Sequence, residues 1–297
     1  DEDENIWILQ NYTDSALLVL KPDGQWKSLY SPSLSNGVAN SIVKPDSKGR
    51  IWSSVEFETG YSPGLNCFDY GGTLDTNARH WAHVLWDAYR AAAVPVSEAA
   101  FREAYVYAER YLAKNPVIAP EDDFAVLLQK KLDIETAYLQ AQGFWQIADA
   151  SRLDYVQAMA RFCDDYVRCN LISSKRVLKE LSARFPLTLV SNFYGNVAAV
   201  LSSYGLDGYF PRIIESAVVG VRKPDPAIYR LGVEATGFEA KDVLVVGDSF
   251  GKDIVPARAV GCQTVWLKGE GWTEQEEDES LPDAVITDLA QLPSVVK

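Results

Sequence analysis

Cysteine, histidine and long apolar runs are scarce in this sequence, and each scarcity excludes something. The four cysteines, Cys67, Cys163, Cys169 and Cys262, lie in apolar surroundings with no C-x-x-C pair. That spacing argues against a zinc or dithiol site and reads them as core thiols in a reducing compartment. The only two histidines, His80 and His83, sit three apart in NARHWAHVLW, on one face of a helix if a helix forms there. A two-ligand metal site is open to them, but with no cysteine or acid alongside, a solvated or packing pair fits better. A formal net charge of −13 without a long Lys/Arg cluster gives no footprint for nucleic acid or an anionic membrane, so an anionic substrate must be held by a local site. No stretch approaches the ~20 apolar residues of a membrane span. The chain begins Asp1, Glu2, Asp3, Glu4 rather than with a basic, apolar leader, so a soluble, cytoplasmic protein is expected.

What is present divides into three stretches. With 297 residues, 47% of them hydrophobic, the chain can build one large α/β domain plus an insertion or a second module. Residues 1–63 read as short strands between turn signals: IWIL, ALLVL, the turn KPDG, QWKSLY, NSIV and IWSSVEF. Ile6-Trp7 recurs as Ile51-Trp52, 45 residues on (51 − 6), and ALLVLKPDG aligns with GLNCFDYGG. That period suits a propeller blade of ~40–45 residues. The segment resembles the propeller repeats of bacterial two-component regulators, though little more than one blade is covered and a single blade cannot bury both faces. From residue 76 to 172 the apolar period becomes helical, with stripes through Trp81, Val84, Leu85 and Ala88, through Phe101, Tyr105, Ala108 and Leu112, and through Tyr155, Met159, Phe162, Cys163 and Tyr166. A further helix is expected through EDDFAVLLQKKLDIETAYLQ. These stripes read as helix–helix core. Short apolar runs then alternate with helices: LTLVS, IIES, VLVVGDS and TVWL. The alternation predicts a parallel sheet covered on both faces, with ligands bound at the carboxyl ends of its strands.

Four strand ends supply a converging set of polar residues: Asp69 with Gly71, Gly72 and Thr73; Ser191 with Asn192; Lys223; and Asp248 with Asp253. Carboxylates from two strand ends suit a hard divalent cation such as Mg²⁺. A lysine with hydroxyl and backbone donors suits phosphoryl oxygens. The glycines after Asp69 let the backbone approach a ligand closely.

These segments resemble the haloacid dehalogenase (HAD) superfamily over about residues 64–297: FDYGGTLDT motif I, LVSN motif II, the lysine of GVRKPDP motif III and VVGDSFGKDI motif IV. The resemblance implies a Rossmann-like parallel α/β sheet formed by residues 64–75 and 173–297, with an all-helical cap at 76–172 and a short N-terminal β segment at 1–63. It implies a Mg²⁺-dependent phosphatase acting on a small phosphorylated metabolite. Asp69 would be the nucleophile, forming an aspartyl-phosphate. Thr73, Ser191 and Asn192 would hold phosphoryl oxygens, and Lys223 would neutralise charge there. Asp248 would bind the metal with Asp69 and the Gly71 carbonyl, and Asp253 would serve as its outer shell or orient Lys223. One departure stands out: family phosphatases carry a second Asp, the general acid/base, where this chain has Gly71. His80 is the first candidate for a replacement proton donor from the cap. A phosphonatase would need a Schiff-base lysine, and the sequence around Lys114, Lys130 and Lys131 marks none of them. The dehalogenases need no metal, so the paired Asp248 and Asp253 favour phosphoryl chemistry. A weakly active or non-catalytic hydrolase fused to a propeller-derived binding module is the alternative. Two features of the first strand pull against its assignment: Asn66 is polar for a central strand, and DYGG reads equally well as a hairpin turn like KPDG.

Overall fold

The structure, a computed structural model, describes residues 66–272 and 277–296, together with five strands nearer the N-terminus. The chain divides into two compact units, 1–63 and 64–296. In the first, β1 (Ile6–Leu9), β2 (Leu17–Leu20) and β3 (Trp26–Leu29) form an antiparallel meander. There, β4 (Ala39–Pro45) and β5 (Ile51–Glu56) form a separate antiparallel pair. The KPDG turn of the blade-like reading lies outside the described residues.

The second unit is the α/β fold anticipated from its alternating runs. Its six-stranded sheet has the order β11-β10-β9-β6-β7-β8, built from β6 (Asn66–Phe68), β7 (Leu187–Ser191), β8 (Arg212–Glu215), β9 (Leu244–Gly247), β10 (Gln263–Leu267) and β11 (Ala284–Ile286). Every pairing is parallel, so helical crossovers cover its faces. The sequence reading did not single out β11: AVI is too short to show a period. β6 lies between β7 and β9, which disposes of the hairpin reading of DYGG. Asn66 is 1% exposed and its side-chain Nδ2 finds no partner among the described residues. A strand this short tolerates a polar residue at its entry because the backbone ladder on both sides holds it.

Helices α5 (Val197–Ser203), α6 (Ser216–Val219), α7 (Ala227–Thr236), α8 (Val255–Val260) and α9 (Leu292–Val295) belong to the sheet region. Against one face, Ile228, Tyr229 and Ala257 bury themselves on Cys67, Val190 and Val245. Each fully buried large side chain contributes about 1.5–3 kcal/mol. At Gly232 α7 passes close to the sheet: an added Cβ would stand 3.1 Å from Val190 Cγ2, so a side chain there would press on β7.

Between β6 and β7 lie four helices, α1 (Trp81–Ala91), α2 (Glu98–Lys114), α3 (Phe124–Ala141) and α4 (Asp149–Ser182). Ser97 and Asp123 cap α2 and α3, accepting from the backbone N–H groups of Ala100 and Val126. The apolar stripes point inward, with Val84, Leu85, Phe101 and Met159 at most 1% exposed, while Phe162 is 36% exposed. With no Gly or Pro to stop it, α4 runs unbroken for 34 residues, straight through residue 172. Its Cys169 is exposed, whereas Cys67, Cys163 and Cys262 are buried. Reading all four as core thiols therefore fails for one, because Cys169 falls on the helix's solvent face. Among the described residues no helix is long and apolar enough to cross a membrane.

Candidate active site at the carboxyl ends of the central strands

The chain leaves the sheet at Asp69, whose N–H still donates to Val246 O at 3.1 Å. The next residues close a tight loop. Gly72 N donates to Asp75 Oδ1 at 2.7 Å, and Thr76 Oγ1 donates to Gly72 O at 3.1 Å. Gly72 has φ +94° and a Cβ there would stand 2.3 Å from Asp248 Oδ2, so glycine is required both by conformation and by space. Gly71 differs: its φ is ordinary, and nothing lies within 4 Å of where its Cβ would be. Asp75 is fully buried, and desolvation raises its pKa to about 7 despite bonds from Gly72 N and from Trp81 Nε1 at 2.9 Å. Through Trp81 it ties this loop to α1. Two consecutive residues of the connection, Asn77 (φ 53°) and Ala78 (φ 67°), are left-handed, which for alanine is strained.

Lys223 stands at the centre of the cluster. Its Nζ lies 2.9 Å from Asp69 Oδ1 and 2.7 Å from Asp253 Oδ1. Asp253 Oδ1 also accepts from Tyr229 Oη at 2.8 Å, and its Oδ2 from Ser249 N at 2.9 Å. The Asn192 amide grips the Lys223 backbone twice, accepting from its N at 2.8 Å and donating to its O at 3.0 Å. Thr73, expected to hold phosphoryl oxygens, is fully buried and donates to Asp248 Oδ1 at 3.1 Å. Trp266 Nε1 donates to Asp248 O at 2.9 Å. The buried Ser191 hydroxyl lies beside Asp69, close enough to lower the pKa of its carboxyl, and makes no other hydrogen bond among the described residues.

Oxygens from Asp69, Asp248 and Asp253 lie within 4.8 Å of one another. Burial raises the pKa of Asp69, with Lys223 opposing; burial, then Asp253 and Asp69, raises that of Asp248. Three carboxylates around one lysine leave a surplus of negative charge in a desolvated place, a donor set that fits a hard divalent cation. Asp253 is already satisfied by three protein donors, which leaves Asp69 and Asp248 as the accessible ligands. The sequence-predicted residues Asp69, Gly71, Thr73, Ser191, Asn192, Lys223, Asp248 and Asp253 thus gather at one end of the sheet.

An open cavity of about 1930 Å³ extends from this cluster to the inserted helices. On its far wall Lys131 of α3, 7% exposed, makes an ion pair with Glu109 of α2, which is 37% exposed. The Lys131 Nζ lies 4.6 Å from the centre of the Tyr105 ring. Glu109 also accepts from Tyr194 Oη, at 3.1 and 3.3 Å to its two oxygens. Behind them, burial pushes the Glu135 carboxyl up to about 7, and Tyr89 Oη donates to it at 3.2 Å. Trp272 stacks on Tyr105 at 5.2 Å and lies under the Arg102 guanidinium at 4.7 Å. His80 caps α1 by accepting from Ala82 N at 3.2 Å, and burial, reinforced by Lys252 and Lys131, lowers its pKa to about 4. At neutral pH it is an uncharged imidazole, ill suited to giving up a proton as an acid.

Tyr229, Asp75, Glu109, Lys131 and Tyr194 were not identified from sequence. Asp75 carried a signal in the length of FDYGGTLDT; the others sit on helices or a loop where nothing local separates them from solvated residues.

A family model described as haloacid dehalogenase-like hydrolase matches residues 66–261. Among curated proteins, the chain is 36% identical over 93 residues to glyceraldehyde 3-phosphate phosphatase of Pyrococcus furiosus, covering 31% of this chain and 39% of that one. It is 33% identical over 88 residues to phosphoserine phosphatase of Thermus thermophilus, 30% of this chain and 34% of that protein. To phosphoglycolate phosphatase of Neisseria gonorrhoeae it is 32% identical over 120 residues, 39% and 50%. The chain therefore spans half or less of the length of these relatives. Among solved structures, YfnB of Bacillus subtilis bound to magnesium superposes with TM-score 0.51 at 19% identity, over 80% of this chain and 99% of that one. L-2-haloacid dehalogenase of Xanthobacter autotrophicus gives 0.50 at 19%, over 78% and 98%. At these identities the likeness extends to the fold alone.

Proposed function

Since the chain belongs to the haloacid dehalogenase-like hydrolase family, we propose that it is a Mg²⁺-dependent phosphohydrolase of small phosphorylated metabolites with Asp69 as its nucleophile. The observation that carries this reading is the carboxylate surplus around Lys223, which a metal-free displacement would not require. The phosphatase names of the partial-length relatives support the same substrate class.

In this reading Asp69 attacks phosphorus in line: the bond from its carboxylate oxygen to phosphorus forms as the bond to the leaving oxygen breaks. Water then cleaves the aspartyl-phosphate and returns Asp69. Lys223, held by Asp253 and by the Asn192 amide, neutralises charge on Asp69 and the phosphoryl oxygens. The Ser191 hydroxyl, beside Asp69 and with no other partner among the described residues, would donate to one of those oxygens. Thr73 orients Asp248. Mg²⁺, held by Asp69, Asp248 and the Gly71 carbonyl with Asp253 behind them, would offset the negative charge of the phosphoryl group. Residues 64–75 and 173–297 form the hydrolase core in this scheme, and residues 76–172 a cap that closes over the cavity and excludes water. With glycine at position 71 and His80 uncharged, no side chain is assigned to the proton of the leaving group, which favours low turnover on poor leaving groups.

The test is hydrolysis of p-nitrophenyl phosphate with and without Mg²⁺ by the wild type and by Asp69→Asn. Metal-dependent turnover is expected for the wild type, and turnover at the level of a mock preparation for the variant, which should still fold and unfold cooperatively. Equal activity of the two proteins would overturn the reading.

A further inference from the structure

The polar groups on the cap side of the cavity are arranged for a ligand of a particular charge. Glu109 presents the accessible surface: 37% of its side chain is exposed, against 7% for Lys131 behind it. Both line the cavity that Asp69 also lines. Tyr194, which bonds to Glu109, lies three residues past Ser191, at most ~11 Å of extended chain, so this carboxylate is tied to the strand end that carries Ser191 in the arrangement observed. An ionised carboxylate offers about four lone-pair sites and no proton. Lys131 and Tyr194 meet at Oε1, and only the longer Tyr194 contact reaches Oε2. What remains open to a ligand is acceptor capacity.

The charge balance narrows the class. Lys131 pairs with Glu109, Lys252 also acts on its charge, and Arg102 lines the same cavity, so the wall holds no uncompensated negative charge that would reward an ammonium. A ligand carboxylate would bring its lone pairs against those of Glu109. A hydroxyl can donate to Glu109 without adding charge.

Resting on the phosphohydrolase reading of Asp69, we infer that Glu109, positioned by Lys131 and Tyr194, recognises the leaving group and selects a neutral, hydroxyl-bearing one, a polyol or sugar phosphate, over one ending in a carboxylate. Glu109 is then a specificity residue and Lys131 a positioning residue.

The experiment compares kcat/KM for glycerol 3-phosphate, sorbitol 6-phosphate, 2-phosphoglycolate and p-nitrophenyl phosphate in the full chain and in Glu109→Gln. The wild type should favour the hydroxylated substrates over 2-phosphoglycolate. In the variant their kcat/KM relative to p-nitrophenyl phosphate should fall ~10-fold or more, mainly through KM, as expected for a hydrogen bond to a charged group. A wild-type preference for 2-phosphoglycolate, or an equal loss on all four substrates, would overturn the inference. If Glu109→Gln does not fold, competition decides: free sorbitol should inhibit wild-type hydrolysis of p-nitrophenyl phosphate more strongly than glycolate, and the reverse order counts against it. Failure of the underlying reading looks different, as p-nitrophenyl phosphate turnover that survives Asp69→Asn. If there is no turnover at all, thermal shifts of the chain with sorbitol and glycolate make the same comparison.

Discussion

Two buried lysines anchor the two sides of the cavity, and their partners differ. Lys223, in the core, stands between Asp69 and Asp253 with Asp248 close by, and Tyr229 bonds to Asp253. Lys131, in the inserted helices, pairs with Glu109, with Glu135 behind it, and tyrosines bond to both carboxylates. The ingredients are alike, a lysine flanked by acids and phenols in a desolvated place. The balance is not. In the core three acids confront one cation, and two of the three remain accessible. In the cap one acid of the pair is offset, and burial pushes the carboxyl of the other up to about 7, so it is only partly ionised at neutral pH. The comparison teaches that the balance of charge, rather than burial itself, separates the two walls: acids are in surplus in the core, and the cap carboxylate that faces the cavity is already paired.

The largest effect that would sharpen this contrast concerns what the core cluster lacks. In the proposed mechanism no side chain is assigned to the proton, so alkyl phosphates should be hydrolysed ~10²–10⁴ more slowly than aryl phosphates, whose phenolates leave unaided. Gly71→Asp should narrow that gap, since its backbone is ordinary and the space for a side chain is open. A leaving-group series at fixed pH and saturating Mg²⁺ measures it. Near-equal wild-type rates would mean that another group donates the proton.

A smaller difference should separate the two lysines themselves. Lys223→Met strands two carboxylates in a desolvated cluster and should cost about 3–5 kcal/mol of stability. Lys131→Met strands Glu109, whose oxygens face the cavity and can rehydrate, so about 1–3 kcal/mol is expected. Urea unfolding of both variants tests the order, and equal costs would break the comparison.

The smallest effect is pH-dependent. The folded pKa of Glu135 is raised from 4.5 to about 7. The stability tied to its protonated form is therefore complete below pH 4.5 and is lost as pH rises to 7. At about 1.4 kcal/mol per pH unit, the loss is at most about 3–4 kcal/mol. Glu135→Gln should be more stable than the wild type at pH 8, by a margin that vanishes below pH 4.5. A margin independent of pH, in urea unfolding at several pH values, would show that the carboxyl is not buried in its charged form.

Much of the core was legible because its chemistry is written in consecutive residues. FDYGG, LVSN and VVGDS each end an apolar run with polar residues, so strand and site are specified together, and parallel pairing brings the ends of β6, β7 and β9 side by side. Lys223 was legible from its motif, but its partners were not, because Tyr229 reaches Asp253 only after α7 packs on the sheet. The bond from the Thr73 hydroxyl to Asp248 was not legible either, because Asp248 is 175 positions away.

By itself, then, the sequence determined the alternation of strand and helix, the helical stripes and the acids at the strand ends, all of which are encoded over short spans by period and residue type. Tertiary structure alone decided which acids are offset and which are in surplus. Glu109, Lys131 and Tyr194 come from α2, α3 and the loop after β7, and each has an ordinary surface residue's local sequence. Their environment, and so their pKa values and what they can bind, depends on which neighbours exclude water from them, and that is settled only when the helices and the sheet close around the cavity.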